Sequence, residues 1–350
     1  MYKMKLLIVP LTSGDIDRLD RCLYTIENQI RVNEPDICIE YDVKIVVNTK
    51  DKKYEKLVQE RYGEKYHIEI TKSDGTPGTG KNAVFDFFRS QKDHYDYLLQ
   101  VDGDDVLYAT ALHQLSFYFK AGWDVVSFQS MDWLSTNHTY QMPHAIIIPE
   151  KLWLYSWCDE EVNLRDIKAF EYVTDEKFGT TGGRIFTPGT SMVISRKVLM
   201  NHTDLCHTNK IKLFEDYLFF LKLFKLHLDK KIRMCSINNS YIYLYDKTNE
   251  NSISTHNCYY GKKELGMLKG FCQDNDMMDS NPVRDMEFVK SGSLDFTNRK
   301  DKIFWIRHLI SRYPNIKMNS VDLNAKKKEQ QEKMKQVAHQ LAPHQRVIPN

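Results

Sequence analysis

The chain has 350 residues, room for one large domain with an addition or for two ordinary ones. Charged residues make up 27% and hydrophobic residues 42%, and 49 Lys and Arg against 47 Asp and Glu leave a net charge of +2. That balance excludes a disordered or fibrous chain and a global charge field aimed at nucleic acid or anionic membrane, and apolar runs of a handful of residues, such as Leu6 to Val9, fall far short of the ~20 a membrane span needs.

Lys5 to Leu11 is an apolar run closed by Thr12-Ser13-Gly14, which predicts a strand and its turn. Asp15 is placed to cap a helix in which Leu19, Leu23, Ile26 and Ile30 recur at three- and four-residue spacing. Asp42 to Asn48 predicts a second strand and residues 52–62 an amphipathic helix. Tyr66 to Ile70 predicts a third strand, followed by a glycine-rich turn and a helix from Asn82 to about Gln91. Tyr95 to Val101 predicts a fourth strand, which runs into Asp102-Gly103-Asp104-Asp105. A helix over about 108–121 and a strand at Asp124 to Phe128 complete the regular part. Strands alternating with helices of this length imply an α/β fold, a mostly parallel sheet with helices on both faces.

Residues 130–190 are less regular. Beyond them a strand is expected at Ser191 to Ser195, a helix starting near Phe214, and a strand at Tyr241 to Tyr245. Residues 257–318 read as a helical extension and 319–350 as a polar tail, in which 325–346 carry six Lys/Arg against two Glu, a local +4. The basic start, Met1 to Lys5, is followed by too short an apolar stretch for a signal peptide. Seven cysteines, odd in number and without a Cys-x-x-Cys pair, fit a reduced, cytoplasmic protein.

Ligands of an open α/β sheet bind outside the carboxyl ends of its strands, so the residues after each strand carry most weight. Asp102-Gly103-Asp104 places two carboxylates at i and i+2 where a strand ends, a pattern suited to Mg²⁺ or Mn²⁺ sharing its shell with phosphate oxygens, and equally to an ordinary acidic turn. Gly75-x-x-x-x-Gly80-Lys81 fits a phosphate-binding P-loop up to Asn82, which stands where the Mg²⁺-binding hydroxyl is required. Glu215-Asp216 open an apolar helix, as dipole complements or as a general base held at the sheet edge. His256 closes a polar segment, Asn251 to Thr255, and is a surface histidine or a further metal ligand beside Asp104.

Taken in order, these segments resemble the inverting GT-A glycosyltransferases of family 2. The corresponding stretches are Val9-Pro10-Leu11-Thr12, the helix Arg21-Cys22-Leu23-Tyr24-Thr25-Ile26-Glu27-Asn28-Gln29, the turn Asn48 to Asp51, Gly78-Thr79-Gly80-Lys81-Asn82, Asp102-Gly103-Asp104-Asp105, Pro188 to Met192, Glu215-Asp216 and Asn251 to Ser254. The resemblance covers about residues 5–256, which it implies are a GT-A domain. It departs from the family at three points: Asn48 stands where an acidic residue commonly reads uracil, Lys81 replaces the usual Arg, and Thr12 stands where Asn often does.

The resemblance implies a nucleotide-sugar donor, a UDP-sugar first among them, lying against Pro10, Thr12, Asn48, Asp51, Gly80, Lys81, Asn82, Asp102 and Gly103. It implies Mn²⁺ or Mg²⁺ held by Asp102 and Asp104 with His256, and Asp216, beside Glu215, as the base of an inverting transfer. Near a metal and a helix N-terminus, Asp216 is expected to keep a low pKa. Trp153, Tyr155 and Trp157 alternate, so they share a strand face that packs in a core or stacks on an acceptor. Arg184, in the Gly179 to Arg184 segment, and Thr190 are further acceptor candidates. The acceptor class is a glycan, a protein or a modified nucleic-acid base, with no transmembrane segment to favour a lipid. The competing classes are a P-loop NTPase dependent on Lys81 and a catalytically silent sugar-nucleotide-binding module.

Overall fold

Alternate residues of the first strand enter two different cores. β1 (Tyr2–Thr12) sends Leu7 and Val9 to one side and Met4, Leu6 and Ile8 to the other, all of them buried. That is the period-2 signature of a strand covered on both faces, and it explains why the run reads as continuously apolar. The computed structural model describes residues 2–30, 37–91, 94–128, 130–133, 192–212, 214–238, 242–246, 262–280, 285–290, 308–309 and 311–313. Trp153, Tyr155, Trp157, Arg184, Thr190, His256 and the basic tail lie outside them.

β1 is followed by α1 (Ile16–Glu27), β2 (Ile37–Val47), α2 (Lys52–Tyr62), β3 (His67–Ile70), α3 (Pro77–Ser90) and β4 (Tyr97–Asp102). Then come β5 (Val106–Leu107), α4 (Ala111–Lys120), β6 (Val125–Phe128), β7 (Ser130–Trp133), β8 (Met192–Ser195), α5 (Arg196–Asn201), α6 (Glu215–Leu228), β9 (Met234–Asn238), β10 (Tyr243–Asp246), α7 (Lys262–Asp274) and β11 (Glu287–Lys290). The main sheet has eight strands in the order β11-β9-β6-β8-β4-β1-β2-β3. All are parallel except β8, which runs antiparallel to both β4 and β6. A second sheet has the order β5-β10-β7.

α3, α5, α6 and α7 share one core with Val9, Val46, Leu98 and Ile194. α1 and α4 cover the opposite face at Ile8, Leu99 and Val126, and α2 packs with α1 over Ile45 and Val47. The expected α/β architecture with helices on both faces is therefore present. Chain order along the sheet reverses between β1 and β4, because β2 and β3 extend to one side of β1 and β4 to the other. That reversal makes the carboxyl ends of β1 and β4 the switch point of the sheet, the position at which such sheets bind ligands.

Several elements differ from their sequence expectation. α1 is capped by Asp15, whose carboxylate accepts from the Arg18 amide at 3.0 Å, as expected, but it ends at Glu27 and leaves Ile30 exposed. α3 begins at Pro77, five residues before Asn82, so most of the glycine-rich turn is helix. Proline at the first helical position supplies the start signal, since its missing N–H is an orphan there anyway. β9 and β11 have no clear sequence signature. β11 lies inside the segment expected as a helical extension and forms the edge of the main sheet against β9, and α7 lends Leu268 and Cys272 to the common core. No helix among the described residues is long and apolar enough to cross a membrane.

Candidate active site

The carboxyl ends of β1 and β4 lie side by side, with Pro10 registered on Val101 and Leu11 on Asp102. Thr12 is buried, and its Oγ1 hydrogen-bonds to the Tyr54 hydroxyl at 2.5 Å. Its carbonyl accepts from the Asn48 amide N–H at 2.8 Å, which ties the ends of β1 and β2 together. The Asn48 side chain accepts from Thr71 Oγ1 at 2.8 Å and donates to the Thr76 carbonyl at 3.0 Å. Asp51 caps α2, accepting from the Lys53 amide at 2.9 Å.

The glycines of this edge are set by close approach. A Cβ on Gly80 would stand 2.7 Å from Leu11 Cδ1 and 2.8 Å from Asn48 Cβ, and one on Gly103 would stand 2.9 Å from Thr12 Cβ. On Gly78 it would stand 2.4 Å from the Thr208 carbonyl oxygen, a backbone atom that cannot swing aside. Gly78→Ala is therefore expected to cost about 1–3 kcal/mol, the range for overpacking a tight contact. Urea denaturation of the variant reads this directly, and an unchanged midpoint would show that residues 202–212 do not press on α3.

The Asn82 side chain is engaged by backbone: it donates to the His207 carbonyl at 2.9 Å and accepts from the His207 amide at 2.8 Å, clamping residues 202–212 onto α3. The His207 ring stacks on Phe219 with centroids 4.1 Å apart, and burial holds it neutral, with a pKa well below the usual histidine value.

Lys81 lies one turn into α3 and is buried. Its ammonium donates to Glu215 Oε1 at 2.8 Å, and both side chains are about 95% shielded, at 6% and 5% exposure. Burial opposes its charge, but Glu215, Asp216 and Asp102 outweigh that and hold the lysine pKa above its ordinary value. These interactions bring the end of β4, the first turns of α3 and the N-terminus of α6 into one electrostatic cluster. Phe214, the residue before Glu215, has φ 60°, a left-handed conformation that a bulky side chain rarely adopts. Strain of this kind is held only where surrounding packing fixes it, and here it sets the path of the chain into Glu215 and Asp216.

Four carboxylates share this cluster with one lysine. Burial lifts Asp102 to about 7; Lys81 opposes the shift, while Asp104, Glu215 and Asp216 reinforce it. Burial and the neighbouring Glu215 likewise lift Asp216 to about 6 against the pull of Lys81. Without a cation, the helix N-terminus alone does not keep Asp216 low: shielding from water and a like charge one residue away exceed the helix-end stabilisation.

The donor chemistry at the end of β4 fits a hard divalent cation. Among the described residues no group of three or more His, Cys, Asp or Glu is arranged to hold a metal. Two carboxylates are nevertheless what Mg²⁺ commonly takes from protein, the remaining positions going to substrate phosphates and water. The surplus of negative charge gathered here over Lys81 is what such an ion would offset.

The P-loop reading is corrected. A P-loop cradles phosphates with the free N–H groups of an irregular loop, whereas here residues 77–80 are already helical and Lys81 is consumed in a buried ion pair. The motif's spacing is met, but Gly80 serves contact with the ends of β1 and β2, Gly78 within it contact with residue 208, and Gly75 a left-handed turn at φ 85°.

A mainly parallel, Rossmann-like sheet with one reversed strand between β4 and β6, and an acidic turn at the switch point, is a GT-A-type glycosyltransferase fold. Staphylococcus aureus TarS, residues 1–349 in complex with UDP-GlcNAc, aligns with TM-score 0.50 at 14% identity, over 79% of this chain and 68% of that one. TarS 1–349 in a further structure aligns at TM-score 0.44 and 14% identity over 89% and 81%, and a longer TarS structure at 0.45 and 13% over 78% and 43%. At such identities the likeness is one of fold. No protein-family model and no curated protein sequence matches the chain.

The sequence reading missed Tyr54, which holds Thr12, and the role of residues 202–212 in closing over α3. Tyr54 carries a weak signal, as an aromatic residue in the first turn of an otherwise charged helix.

Proposed function

We propose that the protein transfers a sugar from a nucleotide-sugar donor, a UDP-sugar, to an acceptor hydroxyl with inversion at the anomeric carbon. The observation that carries this reading is the cluster of Asp102, Asp104, Lys81, Glu215 and Asp216 at the switch point of a GT-A-type fold. The UDP-GlcNAc complex of TarS, a neighbour in fold, supports uridine as the donor base. Asn48 suits that base, because each of its amide atoms keeps capacity for a second hydrogen bond and a pyrimidine edge needs both a donor and an acceptor. Pro10, Thr12, Gly80 and Gly103 complete the floor of the donor site in this reading.

Asp102 and Asp104 would hold Mn²⁺ or Mg²⁺ together with the donor diphosphate, and the ion would supply Lewis-acid neutralisation of the leaving nucleoside diphosphate. Asp216 takes the proton of the acceptor hydroxyl as that oxygen attacks from the face opposite the diphosphate. A single displacement needs one base and no protein nucleophile. Glu215 is bound in its ion pair with Lys81, so Asp216 is the carboxylate of the pair suited to accept a proton, and a pKa near 6 gives it more basicity than an ordinary aspartate.

Thermal-shift measurements test the donor first. UDP-GlcNAc with Mn²⁺ is expected to stabilise the chain by about 2.7 kcal/mol at a hundredfold excess over its Kd, and EDTA is expected to remove most of that gain. Equal stabilisation by GDP-, CMP- or dTDP-sugars would overturn the uridine assignment.

A further inference from the structure

The main chain of the turn that carries Asp102 and Asp104 is hydrogen-bonded at the Asp102, Gly103 and Asp105 amides and at the Asp102 and Asp104 carbonyls, in part by side chains that the mechanism above does not use. The Asp102 amide donates to the Tyr243 hydroxyl at 3.1 Å, and that same hydroxyl donates to Asp105 Oδ2 at 2.6 Å, so one phenol oxygen clips both ends of the turn. The turn is also closed internally, Asp105 N–H to Asp102 carbonyl at 2.9 Å, and pinned to β1 by Gly103 N–H to Leu11 carbonyl at 2.8 Å. The Asp104 carbonyl accepts from Arg21 Nη2 at 2.7 Å.

These clips are themselves braced. Arg21 Nη2 also donates to Asp246 Oδ2 at 2.5 Å, and Arg18 reaches the same oxygen. Asp246 in turn donates its backbone N–H to Asp105 Oδ1 at 2.7 Å. Arg21, Asp105, Tyr243 and Asp246 are each exposed by 1% or less. Arg18 and Arg21 come from α1, Tyr243 and Asp246 from β10, and Asp105 from the turn itself, so three separated parts of the chain meet under it. Burying two arginines and two aspartates is costly, and an apolar replacement of the same volume is often as stable. Such a network therefore has a better rationale in geometric specificity than in stability.

We propose that Tyr243, Arg21 and Asp246 are positioning residues for the metal and donor site: they fix the backbone of Asp102 to Asp105, and with it the mutual placement of the Asp102 and Asp104 carboxylates, without touching the donor. The proposal rests on the reading of those two carboxylates as the metal-holding pair. Outer-shell partners of this kind orient ligands and are worth roughly 10–100-fold in metal affinity. Tyr243→Phe keeps the ring in the core and removes only the shared hydroxyl. Arg21→Lys keeps a charge for Asp246 but loses the planar fork, whose one nitrogen serves both Asp246 and the Asp104 carbonyl.

The experiment measures Mn²⁺ binding by electron paramagnetic resonance and UDP-GlcNAc binding by calorimetry, with and without Mn²⁺, in wild type, Tyr243→Phe, Arg21→Lys and a control. The control is Tyr97→Phe, which deletes another buried hydroxyl, bonded to the Trp123 carbonyl at 2.8 Å at the opposite end of β4. Circular dichroism below the melting transition confirms that each variant is folded. The expected result is a Mn²⁺ affinity lowered roughly 10–100-fold in both site variants, with metal-free UDP-GlcNAc binding and the Tyr97→Phe control unchanged. A wild type that binds Mn²⁺ with UDP-GlcNAc and site variants that bind it equally well overturn the positioning role alone. A wild type that binds neither overturns the reading of Asp102 and Asp104, and the proposal with it. Equal losses in Tyr97→Phe would reduce the effect to general stability and overturn the positioning role as well.

Discussion

Asp216→Asn is expected to lower turnover by about 10²–10⁴-fold, the span that a positioned general base contributes, and to leave UDP-GlcNAc affinity unchanged. The amide is nearly isosteric with the carboxylate and sits beside a buried lysine already paired with Glu215, so the substitution removes basicity more than structure. A base must be deprotonated to act. Burial and Glu215 lift Asp216 to about 6 without a cation, and a cation held by Asp102 and Asp104 would pull it down from there, so wild-type turnover should fall on the acid side through a limb at or below pH 6. The residual rate of Asp216→Asn should show no such limb. Turnover within a few-fold of wild type would remove Asp216 from its role and direct attention to carboxylates outside the cluster.

The linkage to stability runs the other way. A carboxylate whose folded pKa is raised from 3.8 binds protons more tightly folded than unfolded. Its contribution to stability is therefore present in acid and is lost as pH rises through about 6. The pH that favours the base is thus one at which this part of the fold is held less firmly, a conflict expected where carboxylates are gathered for chemistry.

Lys81→Met has the second large expected effect, a loss of about 3–5 kcal/mol of stability at pH 7 by urea denaturation, the cost of leaving one partner of a buried pair uncompensated. Glu215 would be stranded at 4% exposure. Lys81 is also the cation that opposes the upward shifts of Asp102 and Asp216, so its removal should move the turnover limb to higher pH. Because the stranded carboxylates can take up protons, the stability gap to wild type should narrow as pH falls from 7 to 5. Lys81→Met combined with Glu215→Leu should recover most of the loss, since an apolar pair of similar volume often replaces an ion pair without penalty. A single-variant loss below about 1 kcal/mol is the value for an exposed pair, and it would contradict the burial described.

Most of the first 130 residues could be read without coordinates. A strand buried on both faces must be continuously apolar, as Leu6 to Val9 is, and a helix packed on one side must repeat its apolar residues every three or four, as Leu19, Leu23 and Ile26 do. Asp15 announced a helix start because an orphan amide needs a local acceptor, and Asp51, read only as a donor-site residue, caps α2 for the same reason. β9 was illegible for the opposite reason. Met234 to Asn238 has little pattern of its own and becomes a strand by pairing with β6 and β11. The glycine-rich segment misled because glycine marks both flexible turns and tight contacts, and at Gly78 and Gly80 it is the contact that matters.

The opening balance of charge, +2 over 350 residues, said only that no global field points at a partner. Sequence order alone determined the class of fold and singled out Asp102, Asp104, Lys81 and Asp216 as candidates for its site. Tertiary structure decided how those charges are spent. Lys81 pairs with a residue 134 positions away, Asn82 holds the His207 backbone, and Arg21 and Tyr243 reach the acidic turn from α1 and β10. Periodicity and capping are local and are written in consecutive residues. A pKa near 6 or 7, or a hydroxyl that clips a turn, depends on groups that only folding brings within a few ångströms.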